Sequence, residues 1–217
     1  NVKRIRCSEN RVARIMREAG LVAVQRRKYK ATTNSQHDYP VAENILQRQF
    51  RIDRPDKVWV GDITYIWTEE GWLYLAFLLD LWQRMVVGLS LSEHITAELT
   101  QAALRQAYLR RQPEAGLIHH SDRGVQYAST DYQEMLAKYQ MRVSMSRKGD
   151  CYDNAVSESF VHTIKVELIN RYRFKTRAEA KQLIFEYVEA YYNRVRIHSS
   201  LGYLSPMEYE KRFKTFF

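Results

Sequence analysis

Three apolar stretches in the middle of the chain are separated by short polar turns. They read VWVGDITYIW (58–67), WLYLAFLLDL (72–81) and RMVVGLSLS (84–92). Each stretch is rich in β-branched and aromatic residues, the composition that favours a pleated strand. The pattern predicts three successive antiparallel strands, and it places a carboxylate, Asp62, in the middle of the first.

Beyond residue 92 the apolar spacing alternates between helical and strand-like. Helices are predicted at 96–111, 130–139, 154–171 and 176–193, and short strands at 116–122 and 141–146. Three strands followed by alternating strands and helices predict a mixed α/β fold, with a five-stranded sheet flanked by helices.

The N-terminal segment 8–19 has the pattern of a two-faced helix, with Ser8 placed to cap it and Gly20 to end it. Its apolar positions, which we expect to be buried, are Val12, Ile15, Met16 and Ala19. Its basic positions on the opposite side are Arg11, Arg14 and Arg17. An arginine face suits a helix that lies against a phosphate backbone, and it is equally compatible with an ordinary surface helix.

Most of the positive charge lies in the first quarter of the chain. The net charge is +9, and residues 1–57 hold 14 Lys and Arg against 6 Asp and Glu, whereas residues 58–217 hold 20 against 19. This asymmetry favours a basic, polyanion-binding segment on a nearly neutral body; the alternative is a merely solvated surface.

The basic segment is predicted to be a unit separate from the rest of the chain. Residues 31–57 are interpreted as a polar connector with a short helix at 41–50, and the turn residues Arg54-Pro55-Asp56 place a boundary between 1–54 and 55–217.

The remaining bulk features indicate a cytoplasmic protein. Two cysteines, Cys7 and Cys151, form no disulfide framework, which favours a reducing compartment. No apolar run approaches the roughly 20 residues needed to span a bilayer, so we expect no membrane partner. The chain shows no signal peptide and does not begin with Met, so we expect a fragment or a processed product.

Three acidic residues stand where they could meet in space. Asp62 lies within the first strand, Asp122 ends the strand at 116–122, and Glu158 lies at the edge of the buried face of the helix at 154–171. His162 and Lys165 share the stripe of that helix that carries Glu158. A carboxylate within a strand is costly to bury unless its charge is compensated.

Such a set suits divalent metal chemistry. Mg²⁺ and Mn²⁺ prefer oxygen ligands, and two ions about 4 Å apart can activate an attacking oxygen and stabilise a leaving one at a phosphodiester. Lys165 would then bind a phosphate of the bound nucleic-acid strand. The alternative is that Lys165 is an ordinary exposed lysine of the helix.

Other residues allow competing assignments. His119 and His120 with Asp122 suggest a zinc or iron site, but no third nitrogen or sulfur ligand stands at a familiar spacing. Asp80, at a hairpin turn, is interpreted as structural. Asp150 and Asp153, near Glu158, are the acids most easily mistaken for a ligand.

The segment 190–206 interleaves aromatic and basic side chains, including Tyr191, Tyr192 and Arg196. That composition suits stacking on bases and contact with phosphates. The alternative, equally compatible with the pattern, is that both tyrosines belong to the core.

Several phrases of the chain resemble the DDE transposases of bacterial insertion sequences, of the OrfB type with a retroviral-integrase-like core. They are VWVGDITYI, HHSDRGVQYAS, SRKGDCYDNAVSESF and YNRVRIHSSLGYLSPMEY. Asp122 and Glu158 have 35 residues between them, the D,D(35)E spacing of that family, and Lys165 matches its basic residue seven positions later. The resemblance extends from about residue 9 to the end.

The resemblance implies an RNase H-like catalytic core and a site of two Mg²⁺ or Mn²⁺ ions held by Asp62, Asp122 and Glu158. The reaction would be cleavage of transposon ends in double-stranded DNA, followed by strand transfer from the freed 3′-OH into target DNA. In SRKGDCYDN, interpreted as a mobile loop, Arg147 and Lys148 would meet phosphates.

The family's reaction brings two DNA ends together, which implies a homodimer or a larger assembly. The N-terminal segment resembles the last helix of the family's DNA-binding region. Two alternatives stay open: an RNase H-like nuclease that only hydrolyses, and a non-catalytic DNA-binding protein.

Overall fold

A computed structural model of the protein describes residues 7–21, 39–147 and 151–214, with Cys151 and Tyr152 described by their backbone alone. Contacts divide the chain into two compact units, Asn1–Thr32 and Thr33–Phe217. Among the described residues, no helix combines the length and the apolar composition that crossing a membrane requires.

The first unit contains helix α1, Glu9–Glu18, which begins where the sequence predicts. The Ser8 hydroxyl accepts the N–H of Arg11 at 3.3 Å, and Gly20 follows the helix with a positive φ of 67°. The prediction of a buried apolar face is wrong, because no residue of α1 is buried. Residues 7–21 contain only this helix, so its apolar side has no second element of that segment to pack against.

The second unit is built on a five-stranded sheet in the order β3-β2-β1-β4-β5. The strands are β1 Val58–Thr68, β2 Gly71–Asp80, β3 Val86–Ser92, β4 Ile118–Ser121 and β5 Arg142–Met145. β1, β2 and β3 pair antiparallel, whereas β4 pairs parallel with both β1 and β5. The predicted mixed sheet is confirmed.

Helices cover both faces of this sheet. They are α2 Ala97–Arg111, α3 Val125–Ala128, α4 Thr130–Lys138, α5 Ala155–Glu167, α6 Arg177–Glu186 and α7 Pro206–Phe213. Short 3-10 turns flank α5, and a π-helical segment, Tyr187–Tyr192, continues α6. The helices predicted at 96–111, 130–139, 154–171 and 176–193 thus exist. In the last two, regular α-helix ends earlier than predicted, at Glu167 and Glu186.

Alternation along β1 separates two hydrophobic cores. Val58, Val60 and Ile66 point to the face covered by α5 and α6, whereas Trp59 points to the face covered by α2, α3 and α4. On that second face a Cβ at Gly88 would lie 2.3 Å from the carbonyl oxygen of Ala103, so only glycine lets α2 pack this closely on β3.

The C-terminal segment is fastened to the sheet by one buried amide. The side chain of Asn193 accepts the N–H of Val86 and donates to its carbonyl oxygen, both at 3.0 Å. Further along, Ser205 and Glu208 form a capping box at the start of α7.

Residues 41–50 form no helix, so this prediction is wrong. The Ser144 hydroxyl accepts the N–H groups of Ile45 and Leu46 at 3.1 and 3.3 Å, and Gln47 and Arg48 have positive φ angles of 45° and 61°. Leu46 is buried in the larger core. Residues 41–50 of the segment interpreted as a connector are therefore part of the packed structure of the second unit.

Candidate active site

The sheet places Asp62 and Asp122 side by side. β1 and β4 run parallel with Val60 opposite His120, so Asp62 and Asp122 each lie two residues further along. Neighbouring strands are about 4.8 Å apart, so continuing this register brings the two carboxylates to the same edge and face. Both are partly buried.

Local backbone groups orient both side chains. Ile63 donates its N–H to Oδ1 of Asp62 at 2.7 Å, and Gly124 donates its N–H to Oδ1 of Asp122 at 2.8 Å. Asp122 stands directly after β4, where the chain turns into α3.

Helix α5 brings Glu158 to the same place. Phe160 packs on Phe77 with ring centroids 4.6 Å apart, and Phe77 is the β2 neighbour of Asp62. Ile164, one turn later, is fully buried. Glu158, in the first turn of α5, is therefore held over the strand that carries Asp62.

The three acids interact electrostatically. Burial raises the pKa of Asp62 well above its ordinary value, and the negative charges of Asp122 and Glu158 raise it further. The Ile63 N–H and the Lys165 charge act in the opposite direction. Burial also raises the pKa of Glu158. Carboxylates that disfavour one another's ionisation are a donor set that suits a hard divalent cation.

The acids are close enough to interact but do not form a closed ligand set. Within the described part of the chain, no three His, Cys, Asp or Glu side chains are grouped tightly enough to hold a metal ion. An ion bound by Asp62, Asp122 and Glu158 together therefore requires a rearrangement of these side chains.

Lys165 lies beside this site. Its Nζ is 4.4 Å from the centroid of the Tyr65 ring, and burial lowers its pKa whereas the charge of Asp62 raises it. The ammonium group therefore lies over the Tyr65 ring and is near enough to Asp62 to interact with its charge.

Asp153 serves a different purpose from Glu158. Its carboxylate is buried and accepts hydrogen bonds from Asn44, Arg48 and Arg147. Hydrogen bonds from Arg147 and Arg48 hold the pKa of Asp153 well below its usual range, despite the opposing effect of burial. Sequence reasoning missed this cluster, because Asn44 and Asp153 are 109 residues apart.

The predicted loop SRKGDCYDN is only partly within the described residues. Lys148, Gly149 and Asp150 lie outside the described residues. Arg147 is described, and its guanidinium binds Asp153 at 3.1 Å.

The two histidines are structural neighbours of the site. The Nε2 atom of His119 lies 2.9 Å from the Tyr132 hydroxyl, and Nδ1 of His120 lies 2.8 Å from the Ser144 hydroxyl. Burial lowers their pKa values to about 3 and about 4. These contacts give no support to the zinc or iron alternative.

Asp80 is buried at the hairpin end, in agreement with its structural interpretation. It accepts the N–H groups of Asp56 at 2.6 Å, Trp82 at 2.8 Å and the Trp59 indole at 3.2 Å. Burial and the charge of Asp56 raise the pKa of Asp80 to about 7.

The aromatic and basic residues of 190–206 are divided between core and surface. Tyr192 is buried, whereas Tyr191 is exposed. The guanidinium of Arg196 forms an ion pair of 2.8 Å with Glu167. Only one of the two tyrosines is therefore a core residue.

Three segments of the chain match known protein families. The Integrase core domain family matches residues 52–151, and a second Integrase core domain family matches residues 139–206. An HTH-like domain matches residues 2–29, the region that contains α1.

Two curated proteins are similar over nearly the whole chain. The insertion element IS600 uncharacterized 31 kDa protein of Shigella sonnei is 48% identical over 204 residues, which are 94% of this chain and 75% of that protein. Transposase InsF for insertion sequence IS3A of Escherichia coli K12 is 46% identical over 201 residues, 93% of this chain and 70% of the relative.

The chain belongs to the insertion-sequence transposases. The DNA transposase function and the polynucleotidyl transferase class predicted from its motifs are thereby confirmed.

Solved structures similar to this transposase show the same fold. The simian T-cell lymphotropic virus intasome contains a chain with a TM-score of 0.62 and 16% identity, covering 81% of the transposase and 60% of that chain. The HTLV-2 integrase catalytic core domain in complex with magnesium has a TM-score of 0.54 and 18% sequence identity. The match covers 71% of the transposase and 95% of that chain. The expected retroviral-integrase-like core is confirmed.

Proposed function

We propose that Asp62, Asp122 and Glu158 bind two Mg²⁺ or Mn²⁺ ions and form the catalytic site of this transposase. The observation that carries the proposal is the β1–β4 register, which sets Asp62 beside Asp122, together with the packing of α5 that holds Glu158 over β1. The charges of Asp122 and Glu158 accordingly raise the pKa of Asp62. Acids on a strand, a strand end and a helix that rearrange around an ion suit hard cations, and the magnesium in the HTLV-2 integrase core supports the choice of ion.

The substrate is the DNA at the ends of an insertion sequence, and the reaction is phosphodiester cleavage followed by strand transfer. When bound, the ions would activate the attacking oxygen and stabilise the leaving one. Other parts of the chain position the three carboxylates. Backbone N–H groups orient Asp62 and Asp122, and the packing of α5 on the sheet positions Glu158.

Lys165 is proposed to bind a DNA phosphate next to the scissile bond. Its ammonium group lies close enough to Asp62 to affect that residue's pKa, so a strand bound at the acids would pass within its reach. Neutralising the acids with cations would release Lys165 for this contact.

The remaining DNA contacts are proposed on both units. Arg11, Arg14 and Arg17 are exposed on α1, within the HTH-like match, and suit a phosphate backbone. Lys148, which precedes α5 in the sequence, is also proposed to contact DNA. Arg147 and Arg196 would contribute only by releasing Asp153 and Glu167, their partners within the chain.

The active form is proposed to be a homodimer or a larger assembly on two DNA ends. One structural neighbour belongs to an intasome and another is a trimeric form of an integrase core. The integrase-like fold supports an assembly of the same general kind.

The test is Mg²⁺-dependent cleavage of an insertion-end duplex, together with strand transfer from pre-cleaved ends. Asp122→Asn and Glu158→Gln are each expected to lower both rates about 1,000-fold or more, because each loses a metal ligand. Glu134→Gln, an exposed acid on α4, is the matched control and should retain both activities.

Each rival reading predicts a different result. Unchanged cleavage in either variant would remove that residue from the site. Wild-type cleavage without strand transfer would identify a nuclease, and wild-type DNA binding without cleavage would identify a non-catalytic protein.

A further inference from the structure

A groove of about 550 Å³ lies on the α5 side of the sheet, apart from the three acids. Its walls come from the start of α5, from the turn between β2 and β3, and from the segment 196–203. The residues that matter for its chemistry are Arg84, Ser159, Arg196, His198, Ser199 and Ser200. None of the described residues that line this groove is acidic.

Arg84 brings a positive charge to the groove; burial lowers the pKa of its guanidinium, and the nearby charge of Asp80 raises it. Its Nη2 donates to the carbonyl oxygen of Phe50 at 3.2 Å, but its Nη1 is buried without a hydrogen-bond partner among the described residues. None of the described carboxylates forms an ion pair with it. A buried guanidinium donor without a partner is energetically costly, and an anion in the groove would remove that cost.

His198 brings a second unused polar atom to the same groove. Its Nε2 is buried without a partner in the described part of the chain, and its ring packs edge-on against Tyr192 with centroids 5.0 Å apart. Burial lowers the pKa of His198, the charges of Arg196 and Arg84 lower it further, and the charge of Glu167, the ion-pair partner of Arg196, raises it.

The other polar groups complete a cradle for an anion. Ser199 and Ser200 expose their side chains at the rim, and the first turn of α5 supplies the positive end of a helix dipole. On α5, Ser159 is one residue from Glu158 and therefore about 100° around the helix. The groove thus lies within about 10 Å, one helix diameter, of the proposed catalytic acid.

We propose that this groove holds one phosphate of the bound DNA backbone, and that Arg84 Nη1 and His198 Nε2, which are covered in this structure, turn to donate hydrogen bonds to it. His198 then takes the tautomer with hydrogen on Nε2, and the serine hydroxyls of the rim add exposed donors. The proposal rests on the DNA transposase function, but it does not depend on the assignment of the metal ligands.

The test measures the affinity for a fluorescein-labelled insertion-end duplex by anisotropy, in EDTA and over a range of NaCl concentrations. Arg84→Gln should weaken binding about tenfold and reduce the slope of log affinity against log salt by about 0.9, the value for one lost phosphate contact. Arg105→Gln makes the same charge change at an exposed position on α2 and should leave the slope at its wild-type value.

Ser200→Asp gives a second test at an exposed position, where folding should be unaffected. Its negative charge at the rim should weaken DNA binding as strongly as Arg84→Gln does. Wild-type slopes and affinities for both variants would overturn the proposal. EDTA prevents cleavage, so a failure of the catalytic assignment would leave this measurement unchanged.

Inorganic phosphate distinguishes the DNA backbone from a free anion. Phosphate should raise the melting temperature of the wild-type protein above that in chloride of equal ionic strength, and Arg84→Gln should lose this increase. The same loss combined with an unchanged DNA slope would assign the groove to a free anion and overturn the DNA proposal.

Discussion

Asp62 is partly buried and Asp153 is fully buried in the second unit, and the electrostatic surroundings of the two carboxylates are opposite. Asp153 accepts hydrogen bonds from one amide and two arginines, which hold its pKa well below the usual range. Burial raises the pKa of Asp62, and the charges of Asp122 and Glu158 raise it further. The fold neutralises one carboxylate with its own groups and leaves the other near further acids.

This difference separates a structural acid from a functional one. A carboxylate that is fully hydrogen-bonded within the chain fixes distant segments to each other, as Asp153 fixes Asn44 and Arg48 to Arg147. A group of acids that disfavour each other's ionisation has capacity for an external cation. Proximity along the sequence does not distinguish a structural acid from a functional one. Asp153 is closer to Glu158 in the sequence than Asp62 or Asp122 is, yet it is the structural acid.

The largest expected effect is on activity at Asp62. Asp62→Asn should lower the rate of Mg²⁺-dependent cleavage about 1,000-fold or more, because it removes the charge of a metal ligand. It should also raise the free energy of unfolding by about 1 kcal/mol, because it removes a negative charge that the neighbouring acids repel. Cleavage assays and urea unfolding in EDTA measure the two quantities. Asp131→Asn, at an exposed position of α4, is the control. A destabilised but active Asp62→Asn would reverse the comparison.

The next effect is on stability at Asp153. Asp153→Asn should lower the free energy of unfolding by about 2 kcal/mol, because it weakens charged hydrogen bonds to a buried group. Urea unfolding measures this loss. An unchanged unfolding free energy would show that the Asp153 cluster does not fix these segments together.

A smaller effect should come from metal binding. Mg²⁺ at about ten times its dissociation constant should stabilise the protein by about 1.4 kcal/mol, or about 3–5 °C in melting temperature. Thermal melts with and without Mg²⁺ measure the shift. Asp62→Asn should abolish it and Asp153→Asn should retain it; equal shifts in both variants would place the ion elsewhere.

The smallest effect is on the pH dependence of stability. The pKa of Asp153 is lowered in the folded state, so its contribution is complete above the unfolded value of about 3.9 and disappears as the pH falls further. Asp153→Asn should therefore lose less stability than the wild type between about pH 6 and about pH 3. Urea unfolding across this range measures it, and Asp131→Asn should follow the wild-type curve.

Asp62 should show the opposite sign. Its folded pKa is raised, so its ionisation destabilises the folded state increasingly as the pH rises above about 4. The stability advantage of Asp62→Asn should therefore grow with pH in EDTA. An advantage that shrinks with pH would mean that Asp62 is stabilised by its surroundings.

Local patterns predicted the sheet because they directly express burial. Along β1 and β2, whether a residue is apolar or polar reflects whether its side chain faces the core. The sequence pattern therefore indicates the strands directly. The same reasoning failed at 41–50, where hydrogen bonds to Ser144 decide the backbone, and at α1, whose apolar side is exposed.

By itself, the sequence determined the strands, the helices, the 35-residue spacing of Asp122 and Glu158 and, through its motifs, the family. Only the tertiary structure decided which acid is bound by arginines and which faces other acids. It also brought Arg84 and His198 to one groove. The physical reason is distance along the chain: periodicity reports contacts with the bulk of the core, whereas pairings across more than 100 residues exist only once the sheet has assembled.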